Sequence, residues 1–256
     1  MSYLKQISDK DLKKGIERFV QEAEAKYVPS VTLDTVIFGF HDNKLKVLLL
    51  RFAQTAHFVL PGGYLSREED LDAAALRVLR ERTGLDDIFL EQFYTSGNKN
   101  RSSNSTAAQL LKEIMGDLPT DHWFNQRFVS VCYYALVDDT KVNPTPEPFF
   151  TEFKWFDIEA VPELLYDHNL IVEKALKRLQ TDLDTKLVGS KLMGDSFTMN
   201  ELQRLYEAVF QRPFVRTNFQ RKMLSLGILE RLEKQYTGKS HKAPFLYRFV
   251  KDPLRD

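Results

Sequence analysis

Apolar residues recur along the chain with two different periods, and the period separates predicted helices from predicted strands. Within residues 8–27, Phe19, Val20 and Ala23 fall at helical spacing, which predicts a leading helix. The runs "VTLDTVIFGF" and "LKVLLLRF" are strand-like, and the turn residues of "HDNK" between them indicate a hairpin. The segment "FVLPGG" predicts a third short strand that ends at Pro-Gly-Gly.

The pattern after this hairpin predicts one central helix among further strands. Residues 70–82 contain no Gly or Pro and are rich in Ala, Leu and Arg, and Gly84 follows as a helix stop. The runs "IFLEQFYTSG", "RFVSVCYYALVDD" and "FFTEFKWFDI" are predicted strands. A Ser- and Asn-rich segment, residues 96–126, interrupts them and contains a predicted short helix, "STAAQLLKEIMG". Strands around one central helix favour an α+β sandwich that extends to about residue 165.

The C-terminal part of the chain, which we call the tail, has a different pattern. The segment "SFTMNELQRLYEAVF" has Thr198 followed three residues later by Glu201, which predicts a helix with a capping box. The segment "VRTNFQRKMLSLGIL" predicts a second helix with Phe219, Met223 and Leu226 facing inward, and two strand-like runs follow around "TGKSHK". This order of helix, turn, helix and hairpin is typical of a winged helix.

The predicted domain organisation has four parts. They are an N-terminal helix (1–29), an effector-binding domain (30–165), a linker helix (166–189) and a winged-helix DNA-binding domain (190–256).

Charge is distributed unevenly over the 256 residues, although the net charge is zero. From Lys186 to Asp256 there are 14 basic and 7 acidic residues, so the tail carries +7 and the rest of the chain −7. A basic end on an acidic body predicts a polyanionic partner for that end, and we expect double-stranded DNA.

Candidate DNA-binding residues lie at two places in the tail. The outward face of the second helix and the turn between the two strand-like runs supply them: Arg216, Thr217, Asn218, Gln220, Arg221, Lys239, His241 and Lys242. The helix residues are predicted to contact bases and phosphates, and the turn residues to contact phosphate. Asn218 has a second interpretation, as a contact to its own backbone. A solvated basic helix face is the alternative for the helix residues, but it does not by itself explain the +7 tail or the basic turn.

Composition excludes other classes of protein and site. No apolar run approaches the roughly 20 residues of a membrane span, and the first residues lack the apolar core of a signal peptide, so we expect a cytoplasmic protein without membrane contacts. The single cysteine, Cys132, excludes an internal disulfide and lies in an apolar run, which predicts a buried core position.

The stretch "GGYLSREEDLDAAALRVLRERTGL" carries a motif with complete spacing. Its positions are Gly63, Glu69, Arg77, Glu81 and Gly84, and this spacing resembles the Nudix box. In Nudix enzymes the box helix presents carboxylates that hold Mg²⁺. Here two of the three helix carboxylate positions hold Val78 and Arg82, and only Glu81 remains. The resemblance implies that Glu69 and Arg77 brace the loop and helix. We therefore expect no catalytic site, no metal and no cofactor.

A degenerate box followed by a basic tail resembles the Nudix-related transcriptional regulators. The phrases that carry the resemblance are "RVLRERTGL", "EQFYTSG", "SVCYYALV", "FTMNELQRLYEAVF" and "RTNFQRKM". It implies a Nudix α/β/α sandwich with a mixed sheet, followed by a C-terminal winged helix-turn-helix domain. It also implies a homodimer that binds DNA and responds to a small effector, and we expect this regulator to be a repressor.

The resemblance leaves the effector open between two classes. One branch of these regulators senses ADP-ribose-like nucleotides, and another senses pentose sugars such as arabinose. Segment 96–126 departs from the nucleotide branch, which favours a non-nucleotide effector. Candidate effector contacts are Arg51, at the end of a strand, and Arg101 and Arg127, which flank the variable segment; surface salt bridges are the alternative. Asp167 and His168 are interpreted as capping residues of the linker helix.

The sequence is also compatible with two other functions. The first is a Mg²⁺-dependent Nudix hydrolase of a nucleoside diphosphate derivative, with Glu81 and nearby acids holding the metal. The second is a protein-interaction module with no DNA partner.

Overall fold

The computed structural model describes most of the chain. The described residues are 9–52, 55–86, 88–101, 122–138, 141–143, 150–185, 188–235 and 243–250, with 109, 112, 116 and 119 as single positions. The short helix predicted in "STAAQLLKEIMG" lies almost wholly outside them.

Ten elements form the first part of the fold, and they follow the predicted order with one addition. They are α1 (Asp9–Lys26), β1 (Tyr27–His41), β2 (Lys44–Phe52), β3 (Phe58–Val59), β4 (Gly62–Ser66), α2 (Leu71–Thr83), β5 (Phe89–Ser96), β6 (Val129–Val137), β7 (Phe150–Asp157) and α3 (His168–Thr185). The addition is β4, because the sequence predicted only a strand end at Pro-Gly-Gly. Gly62 pairs with Asp34 in β1 so closely that a Cβ atom there would lie 2.6 Å from the Leu33 carbonyl oxygen. The glycine permits this close strand pairing.

The sheet is mixed, as expected for the sandwich. Its strand order is β3-β2-β1-β6-β5, with β4 also paired to β1 and β7 to β2. β1 and β6 are parallel, and the remaining pairs of this sheet are antiparallel.

One helix covers each face of this sheet. Leu33 and Ile37 of β1 pack with Ala75 and Leu79 of α2, whereas the alternate residue Val36 shares a core with α3. Cys132 lies in that second core and is fully buried, as predicted, and burial raises the pKa of its thiol to about 12. The helix predicted as a linker over residues 166–189 is therefore also one layer of the sandwich.

The tail forms a small three-stranded sheet with two helices. The elements are β8 (Phe197–Thr198), α4 (Met199–Phe210), α5 (Arg216–Ser225), β9 (Leu229–Lys234) and β10 (Phe245–Phe249), with strand order β8-β10-β9. The predicted capping box is present, because Thr198 and Glu201 hydrogen-bond each other reciprocally at the start of α4.

The prediction for the inner face of α5 was wrong at one position. Phe219 and Met223 are buried as expected, but Leu226 is 39% exposed. Leu226 follows the last helical residue, and the chain turns away at Gly227, where φ is 68°. The helical period therefore ends before it reaches Leu226.

The two parts of the molecule share a continuous apolar core across α3. Leu179 and Leu183 of α3 belong to the same buried cluster as Leu205 of α4. Gln180 Nε2 donates to the Val209 carbonyl at 2.9 Å, and Tyr206 Oη donates to the Leu183 carbonyl at 3.3 Å. In the part of the chain described, no helix has the length and apolar character needed to cross a bilayer.

Candidate functional site

The start of the Nudix box is held by an arginine whose donors are all engaged. Arg77 Nε and Nη2 donate to the two carboxylate oxygens of Glu69 at 2.9 and 2.6 Å, and Nη2 also donates to the Tyr64 carbonyl at 2.8 Å. The Arg77 hydrogen bonds, together with one from the Ser66 amide at 2.8 Å, keep the pKa of Glu69 below its usual range. The pair therefore fastens the loop before α2 to the helix, as the resemblance implied.

Glu81 belongs to the same network. Arg77 Nη1 donates to both Glu81 carboxylate oxygens, at 3.2 and 3.3 Å. The Glu81 side chain is 40% exposed. The one remaining helix carboxylate is thus a partner of the bracing arginine.

The two substituted positions fill the space behind the loop. A Cβ atom on Gly63 would lie 2.6 Å from Val78 Cγ2, so this valine packs directly against the loop backbone. Arg82 is only 5% exposed. It donates from Nη2 and Nε to the Gly62 carbonyl at 2.8 and 3.2 Å, and its guanidinium lies 5.6 Å from the ring centre of Phe150. Gly84 ends the helix with φ of 70°, as predicted.

This donor set does not fit the Mg²⁺ ion that the box implies. Mg²⁺ requires several oxygen ligands, and here one helix position is apolar, one is cationic and Glu81 is paired with Arg77. Among the described residues, no three His, Cys, Asp or Glu side chains are grouped as a metal site would require.

A second group of polar residues lies on the opposite face of the sheet, beside the first turn of α3. We call it the polar cluster, and its members are Asp34, Ser96, Arg101, Ser130, Asp167 and His168. It joins β1, the end of β5, the start of β6 and the start of α3. Sequence reasoning identified only Arg101 of this set as functional.

Arg101 is the centre of the polar cluster. Its side chain is 5% exposed and forms ion pairs with Asp34 and, at 2.8 Å, with Asp167. Its Nη1 is buried and has no hydrogen-bond partner among the described residues. Burial alone would lower the pKa of Arg101, but Asp34 and Asp167 raise it by more, so the net shift is upward and the guanidinium remains charged. An unmatched buried donor is available to a ligand acceptor.

Asp34 supplies the compensating negative charge. Burial alone would raise the pKa of Asp34, but the charge of Arg101 and hydrogen bonds from His168 and Ser130 hold it well below its usual range. Ser130 Oγ donates to its carboxylate at 2.6 Å. The sequence did offer a signal, because Asp34 is a lone carboxylate within the apolar run "VTLDTVIFGF".

Asp167 and His168 differ from their predicted role as helix caps. The Asp167 carboxylate accepts from Ser96 Oγ and pairs with Arg101. His168 Nδ1 accepts from the Leu60 amide at 2.9 Å, and Nε2 lies 3.5 Å from Asp34. The preceding Tyr166 has φ of 58°, a left-handed conformation that a tyrosine rarely adopts. The start of α3 is therefore tied to the cluster and to the segment that precedes the box loop.

An aromatic cluster adjoins the polar cluster through Tyr64 of β4. The ring of Tyr64 lies 5.3–6.1 Å from five others, those of Phe19, Tyr27, Trp123, Phe124 and Phe128. Burial, with smaller contributions from Tyr166 and Asp34, raises the pKa of Tyr64, so its phenol remains neutral. Trp123 is 4% exposed, and its Nε1 has no hydrogen-bond partner in the part of the chain that the structure describes. Aromatic faces and a free indole donor suit a planar ligand group.

The other two candidate effector residues lie at the surface. Arg51 pairs with Glu152 of β7 and stacks 5.5 Å from the ring centre of Phe58. Arg127 is exposed and donates to the Gly97 carbonyl. The structure brings neither of them into the polar cluster, where only Arg101 lies.

The candidate DNA-binding helix α5 presents its predicted residues outward. Arg216, Thr217, Asn218 and Arg221 are exposed, and Gln220 is half-buried. Arg221 Nη2 donates to Asn218 Oδ1 at 3.3 Å. The opposite side of the helix is anchored by Phe219, whose ring packs edge-on against Tyr206 at 5.1 Å.

Two further cations lie at the base of the hairpin, and sequence reasoning missed them. Arg231 and Lys234 of β9 lie 4.6 and 5.2 Å from the ring centre of Phe245, which is 36% exposed. The alternation of charged and apolar residues in the strand-like run "LERLEK" was a signal for them. The predicted turn residues Lys239, His241 and Lys242 lie outside the described residues, so their role stays a prediction.

Comparisons with known proteins agree with this architecture. The model of the NUDIX domain matches residues 31–179, and that of the NrtR DNA-binding winged helix domain matches residues 189–249. The ADPR responsive transcriptional repressor NtrR of Acinetobacter baylyi is 28% identical over 229 residues, 87% of this chain and 82% of that protein.

Solved structures resemble the chain over most of its length. The crystal structure of Shewanella oneidensis NrtR has a TM-score of 0.63 at 26% identity, covering 86% of this chain and 94% of that one. Its complex with a 27mer DNA has a TM-score of 0.62 at 26% identity, covering 86% and 93%. A MutT/nudix family protein from Enterococcus faecalis has a TM-score of 0.62 at 19% identity, covering 95% and 99%, which shows the fold alone. The predicted fold class is confirmed.

Proposed function

We infer, because this chain belongs to the NUDIX family and carries an NrtR DNA-binding winged helix domain, that it is a DNA-binding transcriptional regulator controlled by a small effector. The observation that carries the proposal is one chain with two opposite features. Its Nudix box is closed by Arg82 at the Gly62 carbonyl, and its helix α5 presents Arg216 and Arg221 to solvent. We therefore propose that it is not a hydrolase and uses neither metal nor cofactor.

DNA binding is proposed to centre on α5. A helix fixed by Phe219 and Met223 can present its outward residues to the major groove, while basic residues near the hairpin neutralise phosphates. The structure of S. oneidensis NrtR with DNA supports this assignment for a similar fold. We further propose a homodimer, because two winged helices would then contact two half-sites of one operator.

The effector is proposed to bind between the polar and aromatic clusters. Arg101 Nη1 and Trp123 Nε1 are buried donors that have no partner among the described residues; Trp123 packs against Tyr64, and Arg101 pairs with Asp34. A ligand with a planar base and anionic or hydroxyl acceptors would satisfy both. ADP-ribose has this chemistry, and the name of the A. baylyi relative supports it over the arabinose-like effector that segment 96–126 suggested.

Helix α3 is proposed to transmit the effector signal. Its first turn contributes Asp167 and His168 to the polar cluster, and its last turns bond α4 through Gln180 and Leu183. An effector that binds one position of α3 better than another would change the placement of the winged helices. We propose that the protein is a cytoplasmic repressor and that effector binding releases it from DNA.

The test is a fluorescence-anisotropy titration with DNA from upstream of the chain's own gene and neighbouring genes. We expect sequence-selective binding that weakens steeply with salt, because counterions are displaced from phosphate. ADP-ribose should weaken it and L-arabinose should not. A scrambled fragment serves as the control. Equal affinity for operator and scrambled DNA at both low and high salt would remove the proposal.

A further inference from the structure

Arg82 occupies the position at which the Nudix box places a metal-binding carboxylate. The side chain does not point into solvent, as an arginine on a helix surface would. It is 5% exposed and donates twice to the Gly62 carbonyl, at 2.8 and 3.2 Å. The helix and the loop are thus joined by a positive charge that belongs to the chain itself.

The start of strand β4, on the other side of this contact, is tightly confined. Gly62 is paired with Asp34, and a Cβ atom on Gly62 would lie 2.9 Å from Asp34 Oδ1. Thr35 N donates to the Pro61 carbonyl at 2.7 Å. The start of β4 therefore lies between β1 and Arg82, and the carbonyl oxygen of Gly62 faces the guanidinium.

A backbone carbonyl oxygen that faces carboxylates on a helix needs a cation between them, because both groups are hydrogen-bond acceptors and neither can donate to the other. In a Nudix box with a carboxylate at position 82, a divalent ion would meet that need. With arginine there, a planar group with several donors meets it without any ion.

We propose that Arg82 is a built-in cation that replaces Mg²⁺ as the bridge between α2 and the start of β4. Folding of this region is consequently independent of divalent ions. The proposal does not depend on whether the chain binds DNA or ADP-ribose.

The test compares thermal unfolding of the full chain with millimolar MgCl₂ and with EDTA at matched ionic strength. The variants are Arg82→Glu, Arg82→Gln and Arg82→Lys. Arg80→Glu is the matched control, since Arg80 lies on the same helix with a side chain that is 69% exposed and paired with Asp86. Binding of Mn²⁺ as a paramagnetic probe is measured on the same samples.

The wild type should show the same Tm with Mg²⁺ and with EDTA. Arg82→Glu should lower the Tm in EDTA by roughly 5 °C or more, and Mg²⁺ should recover a large part of that loss as the ion binds the new carboxylate. Arg82→Gln should lose stability without responding to Mg²⁺, and Arg82→Lys should lie between it and the wild type. Arg80→Glu should change little and bind no Mn²⁺.

Three results would overturn the proposal. The first is a wild-type Tm that Mg²⁺ raises. The second is an Arg82→Gln protein as stable as the wild type. The third is an Arg82→Glu protein that folds but gains neither Mn²⁺ binding nor Mg²⁺ stabilisation. If Arg82→Glu does not fold even with Mg²⁺, the Gln and Lys variants still decide the question, since a stability order other than Arg, Lys, Gln contradicts the bridge.

Discussion

The two faces of the central sheet treat their polar residues in opposite ways. On the α2 face, Arg77 and Arg82 direct their donors to Glu69, Glu81 and the Gly62 carbonyl, and the network closes on itself. On the α3 face, the polar cluster joins four separate elements, and the Nη1 donor of Arg101 has no partner among the residues that the structure describes. The face that carries the recognised motif is thus chemically satisfied. The face with no recognisable motif is where we propose that the effector binds, and it also carries α3, the helix that reaches the tail.

The largest expected effect comes from breaking the charge pairing on the α3 face. Arg101→Met leaves Asp34 and Asp167 without their common cation in a buried site, and we expect a loss of about 3–5 kcal/mol in the free energy of unfolding. Urea unfolding measures it.

The matched control is Arg127→Met, because Arg127 is exposed and contacts only one backbone carbonyl in the described structure. It should cost less than about 1 kcal/mol. Equal losses in the two variants would mean that the polar cluster has no special weight. Adding Asp34→Asn to Arg101→Met should cost less than the sum of the two changes, since each leaves the other partner unpaired.

The next effect tests whether the tail, and not the sandwich, carries the proposed DNA-binding function. Arg216→Ala combined with Arg221→Ala should weaken operator binding by about 2–4 kcal/mol and reduce its salt dependence. Anisotropy at two salt concentrations measures both. A variant with Lys191→Ala and Arg204→Ala removes the same charge elsewhere in the tail. If both double variants bind DNA alike, net charge and not the α5 face explains the affinity.

A pH titration sharpens the comparison through Asp34. Its pKa in the folded chain is held below the ordinary value, so the stabilisation is fully present above about pH 4 and is lost as the pH falls towards the folded pKa. This carboxyl should contribute a loss of up to about 1.4 kcal/mol per pH unit in that range.

The measurement is urea unfolding of the wild type and Asp34→Asn between neutral and acid pH. The variant should be less stable at neutral pH but should lose less stability on acidification. Parallel curves for the two proteins would show that Asp34 titrates as an ordinary carboxyl.

Sequence patterns predicted the elements well because each depends on local periodicity. The hairpin, the box helix with its stop at Gly84 and the capping box at Thr198 are all set by residues within one element. β4 was missed because its glycines serve a contact with β1 that is remote in sequence.

The candidate site was harder to predict for the same reason. The polar cluster combines Asp34, Arg101 and Asp167, which are far apart in the chain and have no fixed spacing. Asp167 was interpreted as a cap because its position before a helix gives that signal locally. Arg82 was recognised as incompatible with a metal, but only the structure shows which carbonyl it contacts.

The smallest expected effect concerns Glu81, which the box retains as its single helix carboxylate at a metal position. If the α2 face is devoted to closing the loop, Glu81→Gln loses only a half-exposed pair with Arg77 and should change the free energy of unfolding by less than about 1 kcal/mol. DNA affinity and its response to ADP-ribose should be unchanged. Glu69→Gln is the informative partner, because Glu69 accepts two hydrogen bonds from Arg77 and one from the Ser66 amide, so it should cost more. The hydrolase alternative predicts the reverse, namely Mg²⁺-dependent turnover of ADP-ribose or a nucleotide sugar that Glu81→Gln abolishes. The turnover assay compares the wild type with Glu81→Gln. Turnover by the wild type that Glu81→Gln lacks would place catalysis on the α2 face, and the two faces of the sheet would then not differ as described.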